Sequence, residues 1–334
     1  MYDVNKIRSD FPILTRMVNN KPLVYLDNGS SAQKPKVVID AVSKAYSEEY
    51  SNVHRGLHTL SNLATDNYEC VRDKIKKFLG AEFSEEIIFN SGATEGINTV
   101  SYSWAVPNLK AGDEIILSIM EHHANIIPWH FLRERQGVII KWVDTDDNGD
   151  LDAQSVIDAI SPKTKLIAIT QMSNVLGTVV DVKEICRVAQ EKNIATLIDG
   201  SQSSVHLPIN VKELGCDFFV ITGHKLYGPS SSGALYARKK RHEEMINFMG
   251  GGDMIKVVER DLVTYNVSPH RFEAGTPGIV KMMGLGAAID YMQGIGLEHR
   301  AKNEKSLRDE ANATKPEVEC INIKGKANNK REKC

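Results

Sequence analysis

Between about residue 80 and residue 240 the chain alternates short apolar runs, rich in β-branched residues, with polar stretches whose apolar side chains recur at helical spacing. EIIFN (86–90), EIILSI (114–119), VIIKWV (138–143), KLIAIT (165–170), ATLID (195–199), DFFVIT (217–222) and GALYA (233–237) read as strands, since continuous apolar character suits a strand buried on both faces. NIIPWHFLRERQ (125–136), DAQSVIDAI (152–160) and DVKEICRVAQEKN (181–193) read as the helices between them, and in the last Val182, Ile185, Val188 and Ala189 share one face. Strands alternating with crossover helices predict an α/β fold with a mostly parallel sheet covered on both sides. In such sheets ligands sit beyond the carboxyl ends of the strands, so candidate chemistry is sought there. The glycine-containing stretch from Gly284 to Gly296 reads as a linker, followed by a charged helix, LEHRAKNEKSLRDEANA (297–313). From Lys324 on, KGKANNKREKC is basic and almost without apolar residues, which is expected of a frayed tail or of a chain that stops before its last domain is complete.

Composition narrows the function classes. Lys and Arg total 41 against 43 Asp and Glu, a net charge of −2, which lacks the basic excess of a nucleic-acid binder. Hydrophobic residues at 42% and charged residues at 25% place the chain with water-soluble folded proteins and away from the disordered class. At roughly 150 residues per domain, 334 residues predict about two domains. No apolar run approaches the roughly 18 residues of a membrane span, and MYDVNKIRSDFPIL mixes charges into its apolar positions, so a cytoplasmic location without membrane association is expected. The 5 cysteines, Cys70, Cys186, Cys216, Cys320 and Cys334, are scattered without a CxxC pair, and neither a disulfide framework nor a zinc knuckle is expected.

The predicted strand ends carry polar residues of distinct chemistry. SGATEGIN (91–98) opens a helix after the first run: Gly92 permits a tight turn, and the helix start with Thr94 could cradle a phosphate. The alternative is a simple N-cap made by Thr94. MEHHAN (120–125) places His122 and His123 at another strand end, where an imidazole could stack on a planar cofactor or lie on the surface as an ordinary loop histidine. A metal site would have to recruit His54 and His58 of HRGLH, but no HExxH and no nearby cysteine supports one, and no metal is expected. Asp199, at the end of ATLID, is costly to bury without a cationic partner, which could be a cofactor's protonated ring nitrogen or a plain Arg or Lys. Lys225 follows DFFVIT between Gly223 and Gly228; alone it reads as a surface charge, whereas a desolvated lysine can form a Schiff base. A phosphate cradle, a stacking ring, an acid and a lysine at successive strand ends are the groups pyridoxal phosphate requires.

The ordered series YLDNGSSAQKP, HRGLHTLS, SGATEGIN, MEHHANIIPW, SNVLGT, DGSQ, GHKLYGP and RFEAGTP resembles the cysteine desulfurases and selenocysteine lyases of the SUF type, in the class V group of pyridoxal-phosphate enzymes. The resemblance runs from about residue 5 to about residue 300. It implies fold type I, a mostly parallel mixed sheet flanked by helices, with an N-terminal segment (1–22) packing on the small domain, a large cofactor-binding domain (23–285) and an incomplete small domain (286–334). It also implies that Lys225 carries the cofactor as a Schiff base and later removes the Cα proton, that Asp199 pairs with the pyridine nitrogen, and that His122 stacks on the ring. Gln202 would bond the ring hydroxyl, and Ala93, Thr94, Thr222 and His224 would hold the phosphate. Thr276 would reach the phosphate of a neighbouring subunit in a homodimer, Asn174 would touch the substrate carboxylate, and His54 and Arg55 would line the substrate entrance.

The implied reaction releases sulfur from L-cysteine, giving alanine and a persulfide that a sulfur-acceptor protein of the SUF system collects for iron–sulfur cluster assembly. The family's nucleophilic cysteine and the arginine gripping the substrate carboxylate lie in a C-terminal segment that this sequence does not match, so truncation and doubtful activity are expected. A selenocysteine lyase, another β-eliminating lyase and a non-catalytic remnant are the alternatives. GPSSSGALY (228–236) departs from the family's preference for a glycine among these serines.

Overall fold

The computed structural model describes residues 2–314. A seven-stranded sheet forms its centre: β1 (Ile87–Asn90), β2 (Glu114–Ser118), β3 (Ile139–Val143), β4 (Thr164–Thr170), β5 (Ala195–Asp199), β6 (Phe218–Thr222) and β7 (Gly233–Ala237), in the order β1-β7-β6-β5-β4-β2-β3. Each strand lies in one of the apolar runs, with ends differing by a residue or so. Neighbours from β3 to β6 pair parallel, while β7 runs antiparallel between β6 and β1, so the sheet is mixed but mostly parallel.

The continuous apolar runs are explained by the two cores. Successive residues point to opposite faces, so Ile87, Ile116, Ile167, Ile198 and Phe219 enter one core, and their neighbours Ile88, Ile115, Leu166, Leu197 and Phe218 enter the other. Helices α3 (Thr59–Leu79) and α7 (Val182–Glu191) cover the first face through Ile75, Leu79 and Ile185. Helices α4 (Ala93–Thr99) and α5 (Ile127–Gln136) cover the second through Ile97, Trp129 and Leu132. Each fully buried aromatic or aliphatic side chain contributes about 1.5–3 kcal/mol. A shorter helix, α6 (Ala153–Asp158), lies between β3 and β4, and α1 (Val4–Ser9) and α2 (Lys36–Lys44) precede α3. As expected, Val182, Ile185, Val188 and Ala189 are the buried face of α7.

The linker expected from Gly284 to Gly296 is not one. Residues Ile279–Ile295 form a single helix, α8, packed on α2 and α3, and the expected domain boundary at 285 falls inside it. Two of its glycines serve close packing instead of flexibility: a Cβ on Gly284 would come within 2.7 Å of Val42 Cγ2 and 2.5 Å of Pro229 Cγ, and one on Gly286 within 2.8 Å of Val71 Cγ2. The charged helix follows as α9 (Leu297–Thr314). The N-terminal segment packs on both helices, with the Tyr291 hydroxyl donating to Asp10 at 2.8 Å and the rings of Tyr2 and His299 6.1 Å apart. Two short antiparallel ladders, Met17–Val18 with Lys21–Pro22 and Ile255–Val258 with Val263–Tyr265, were not expected; they are largely exposed and too brief to impose a period. The terminal stretch from Lys324, with Cys320 and Cys334, lies outside the described residues. No helix among the described residues is long and apolar enough to cross a membrane.

Candidate active site

The carboxyl ends of the parallel strands open onto a cavity of about 460 Å³, whose walls include Ala93, Thr94, His122, Asn174, Asp199, Gln202, Thr222, His224 and Lys225. They come from five separate motifs, SGATEGIN, MEHHAN, SNVLGT, DGSQ and TGHKLYGP, which the sheet brings together.

After β1 the chain turns at Gly92, whose φ of +122° belongs to glycine and where a Cβ would meet Thr222 Oγ1 at 3.0 Å. Gly92 is the N-cap of α4 and supplies no side-chain cap, so the alternative of a simple cap by Thr94 does not hold; Thr94 lies in the first turn. The first-turn amides of a helix lack intrahelical acceptors, and those of Ala93 and Thr94 stand at the cavity wall ready for an anion. Glu95 reaches back instead, accepting the Ser91 amide at 2.7 Å and fixing the turn.

Asp199 is buried at the end of β5, opposite Thr170 of β4, and its Oδ1 accepts the Ser201 amide at 2.9 Å. A carboxylate lining a cavity in this way presents a fixed negative charge to whatever occupies it. His122 borders the same cavity. Its Nδ1 accepts the Ala124 amide at 3.1 Å, which puts the ring proton on Nε2. Burial lowers its pKa, with Lys225 and His123 acting in the same direction and Asp199 opposing, so the ring stays neutral and suited to stacking.

Lys225 follows β6, half-buried, on a loop held from behind. The carbonyl of His224 accepts the Ala32 amide and the Lys34 ammonium, each at 3.0 Å, and the Gly228 amide returns to the Gly223 carbonyl at 2.9 Å. The Gln202 amide nitrogen donates to the Gly29 carbonyl at 2.7 Å, tying the DNGSS segment to the cavity wall. Two contributors were missed. Lys34 is a basic residue in the irregular stretch before α2, and Glu121 is an acid beside the histidine pair; the only sequence signal for the latter was a carboxylate at a buried strand end.

His54, Arg55 and Thr276 do not line this cavity. His54 adopts a left-handed φ of +69°, with Nδ1 3.0 Å from Asp253 Oδ2 and Nε2 2.9 Å from Glu69 Oε1. The Glu69 hydrogen bond raises its pKa foremost, burial opposes, and Asp253 adds to the rise. Arg55 Nε stands 3.6 Å from Asp253 Oδ1. His54, Glu69 and His270 offer atoms within 4.8 Å of one another, but both ring nitrogens of His54 already meet carboxylates and Arg72 binds Glu69 at 2.7 Å, so the group is an ion-pair network. His58 caps α3 by accepting the Ser61 amide. Thr276 is exposed on a separate 220 Å³ pocket. The thiols of Cys186 and Cys216 are buried, Cys186 being pushed up by burial to about 12, and Cys70 is exposed on α3; none lines the cavity.

An anion cradle, a flat neutral imidazole, a buried acid and a lysine on one cavity fit a phosphorylated pyridine aldehyde. The family model for aminotransferase class-V matches residues 24–334. The chain belongs to that family. A probable cysteine desulfurase of Xylella fastidiosa (strain 9a5c) is 45% identical over 328 residues, covering 98% of this chain and 79% of its own. The apo structure of the cysteine desulfurase from Thermococcus onnurineus NA1 superposes with a TM-score of 0.93 at 33% identity, covering 99% of this chain and 81% of that one. SspA in complex with cysteine superposes at 0.71 with 30% identity, over 80% of this chain and 73% of its own. As a class-V aminotransferase fold the chain has the expected fold type I architecture, and its family is pyridoxal-phosphate dependent.

Proposed function

We propose that this chain is a pyridoxal-phosphate-dependent cysteine desulfurase that releases sulfur from L-cysteine as a persulfide, leaving alanine. The observation that carries the reading is the convergence of Lys225, Asp199 and His122 on one cavity with the helix start at Gly92. The names of the relatives and the cysteine bound to the SspA neighbour support cysteine as the substrate.

The cofactor, when bound, supplies an aldehyde for amine exchange and an electron sink for the substrate Cα. Asp199 keeps a proton on the ring nitrogen, since one buried negative charge favours the protonated form. His122 would pack against the ring, and the amides of Ala93 and Thr94 with Thr222 and His224 would hold the phosphate. Gln202 has its amide nitrogen on Gly29, so its oxygen is the atom available to a ring hydroxyl. The Lys225 amine would hold the cofactor's aldehyde and, once displaced by the substrate amine, would be the base that moves the Cα proton. Asn174 meets the substrate carboxylate.

We further infer a homodimer in which Thr276 serves the neighbour's phosphate and His54 and Arg55 its substrate entrance. Their position off the chain's own cavity supports this, as do largely exposed apolar side chains such as Leu57 and Val267. We place residues 286–334 in the small domain, the enzyme in the cytoplasm, and a SUF-type sulfur acceptor as its partner. The described thiols do not supply the nucleophile, because buried Cys186 and Cys216 resist ionisation and Cys70 stands off the cavity.

The test is alanine release from L-cysteine and from L-selenocysteine, with persulfide labelling after one turnover. Alanine with labelled persulfide from cysteine supports the reading. Alanine from selenocysteine alone would make the chain a selenocysteine lyase, and no turnover of either would make it a cofactor-binding remnant.

A further inference from the structure

Lys34 is a half-buried ammonium that nothing in the reaction as described uses. Among the described residues no carboxylate pairs with it, and burial alone draws its pKa down. A cation desolvated without a countercharge costs stability unless hydrogen bonds offset it. Here they go to two main-chain carbonyls, that of Ala32 at 2.6 Å and that of His224 at 3.0 Å.

The second carbonyl belongs to the peptide bond that joins His224 to Lys225. It accepts the Ala32 amide as well as the Lys34 ammonium, each at 3.0 Å, so both of its lone pairs are engaged by one segment, with Lys34 standing 190 residues earlier in the chain. Fixing that planar unit fixes the nitrogen and the Cα from which the Lys225 side chain departs. The segment is itself held, since the Ser30 and Ser31 amides return to the Asp27 carbonyl at 3.1 Å, the Tyr25 hydroxyl donates to the Ser31 carbonyl at 2.7 Å, and Gln202 donates to that of Gly29. The loop's own bonds, from Gly228 to Gly223 at 2.9 Å and from Gly223 to Ser232 at 2.7 Å, close its two ends, and Lys34 adds a hold at its middle. Other parts of the cavity have separate supports: Glu95 fixes the turn before α4, and the Ser201 amide fixes Asp199. Lys34 itself does not line the cavity.

We propose that Lys34 is a positioning residue for Lys225: by clamping the peptide between His224 and Lys225 from outside the cavity, its ammonium aims the Lys225 amine at the aldehyde of the cofactor and leaves the grip on phosphate and ring unchanged. The inference rests on the reading of Lys225 given above. Joining that amine to the aldehyde forms one C=N bond with loss of one water, and the nitrogen must approach the carbonyl carbon along one direction. Seating a phosphorylated pyridine asks no such direction of Lys225. The two events therefore separate positioning from a general loosening of the site. Arginine keeps a charged donor able to span both carbonyls, whereas methionine keeps the length and loses every donor.

The test compares the parent with Lys34→Met and Lys34→Arg, first without cofactor. Hydrogen exchange over residues 223–228 should be faster by about tenfold or more in Lys34→Met, where a charge-assisted hydrogen bond is lost, and close to the parent in Lys34→Arg. With pyridoxal phosphate, the rate at which a borohydride-trapped adduct forms on Lys225 should fall by about tenfold or more in Lys34→Met, whereas the Kd for pyridoxine 5′-phosphate, which has no aldehyde, should change less than about threefold. In Lys225→Ala, adding Lys34→Met should leave the affinity for pyridoxal phosphate within about threefold. Unchanged exchange, an unchanged rate, a loss that persists in Lys225→Ala, or an equal loss for the two phosphates overturns the proposal, the last by showing that Lys34 only supports the cavity. If Lys34→Met does not fold, Lys34→Gln, whose side chain is too short for both carbonyls, takes its place. An adduct that persists in Lys225→Ala would sink the functional reading, while the exchange measurement would still decide whether Lys34 clamps the loop.

Discussion

The ammonium of Lys34 donates to the main-chain oxygen of His224 at 3.0 Å and to that of Ala32 at 2.6 Å, bracing from behind the loop that carries Lys225. Burial pulls the Lys34 pKa from 10.5 down to about 8. Between those values the unfolded chain binds more protons than the folded one, so the group's contribution to stability rises with pH across that window and is constant at its least favourable below about 8. The stability difference between the parent and Lys34→Met, measured by denaturant unfolding, should therefore climb between pH 8 and 10.5. A difference that stays level throughout would mean that the amine is solvated.

Ser231, in the GPSSSGALY loop, occupies the left-handed region at φ +57°. The backbone there takes a conformation that favours glycine, at a cost of about 1–2 kcal/mol for an L-residue. Ser231→Gly should be neutral to mildly stabilising, since glycine's added unfolded-state freedom offsets part of the relief. Ser231→Val should destabilise by more than about 1 kcal/mol. Equal melting temperatures for the two variants would contradict this.

The sheet was legible because strands buried on both faces are continuously apolar, and its topology told where to look: Thr94, His122, Asp199 and Lys225 all line one cavity. Helix α8 was illegible as a helix because glycines that admit Val42 and Pro229 look, in sequence, like those of a linker. Glu121 and Lys34 were missed for a different reason. Lys34 meets the carbonyl of His224, 190 residues on, which no local pattern encodes, whereas Glu121 bonds Asn125 only four residues on, a contact that matters because both are buried in the fold. The alternative of a Thr94 cap did not hold because Gly92 takes the cap position, two residues before Thr94.

His54 stands between Glu69 and Asp253 with its pKa raised above 6.5, so its contribution is present in full below pH 6.5 and is lost as pH rises through the folded-state value. Glu69, held down to about 2, remains charged through this range; burial opposes that shift, and the hydrogen bonds of His54 and Arg72 overcome it. His54→Gln should cost roughly 1 kcal/mol at pH 5.5 and less at pH 9. A cost that is larger at pH 9 would assign His54 a neutral role.

The central claim is that the cavity at the strand ends seats pyridoxal phosphate on Lys225. The direct measurement is borohydride reduction of the protein after incubation with pyridoxal phosphate, followed by peptide mapping of the parent and of Lys225→Ala. The account predicts one phosphopyridoxyl lysine at position 225 in the parent and none in Lys225→Ala. A stoichiometric adduct on any other lysine, or an unchanged adduct in the variant, would contradict it.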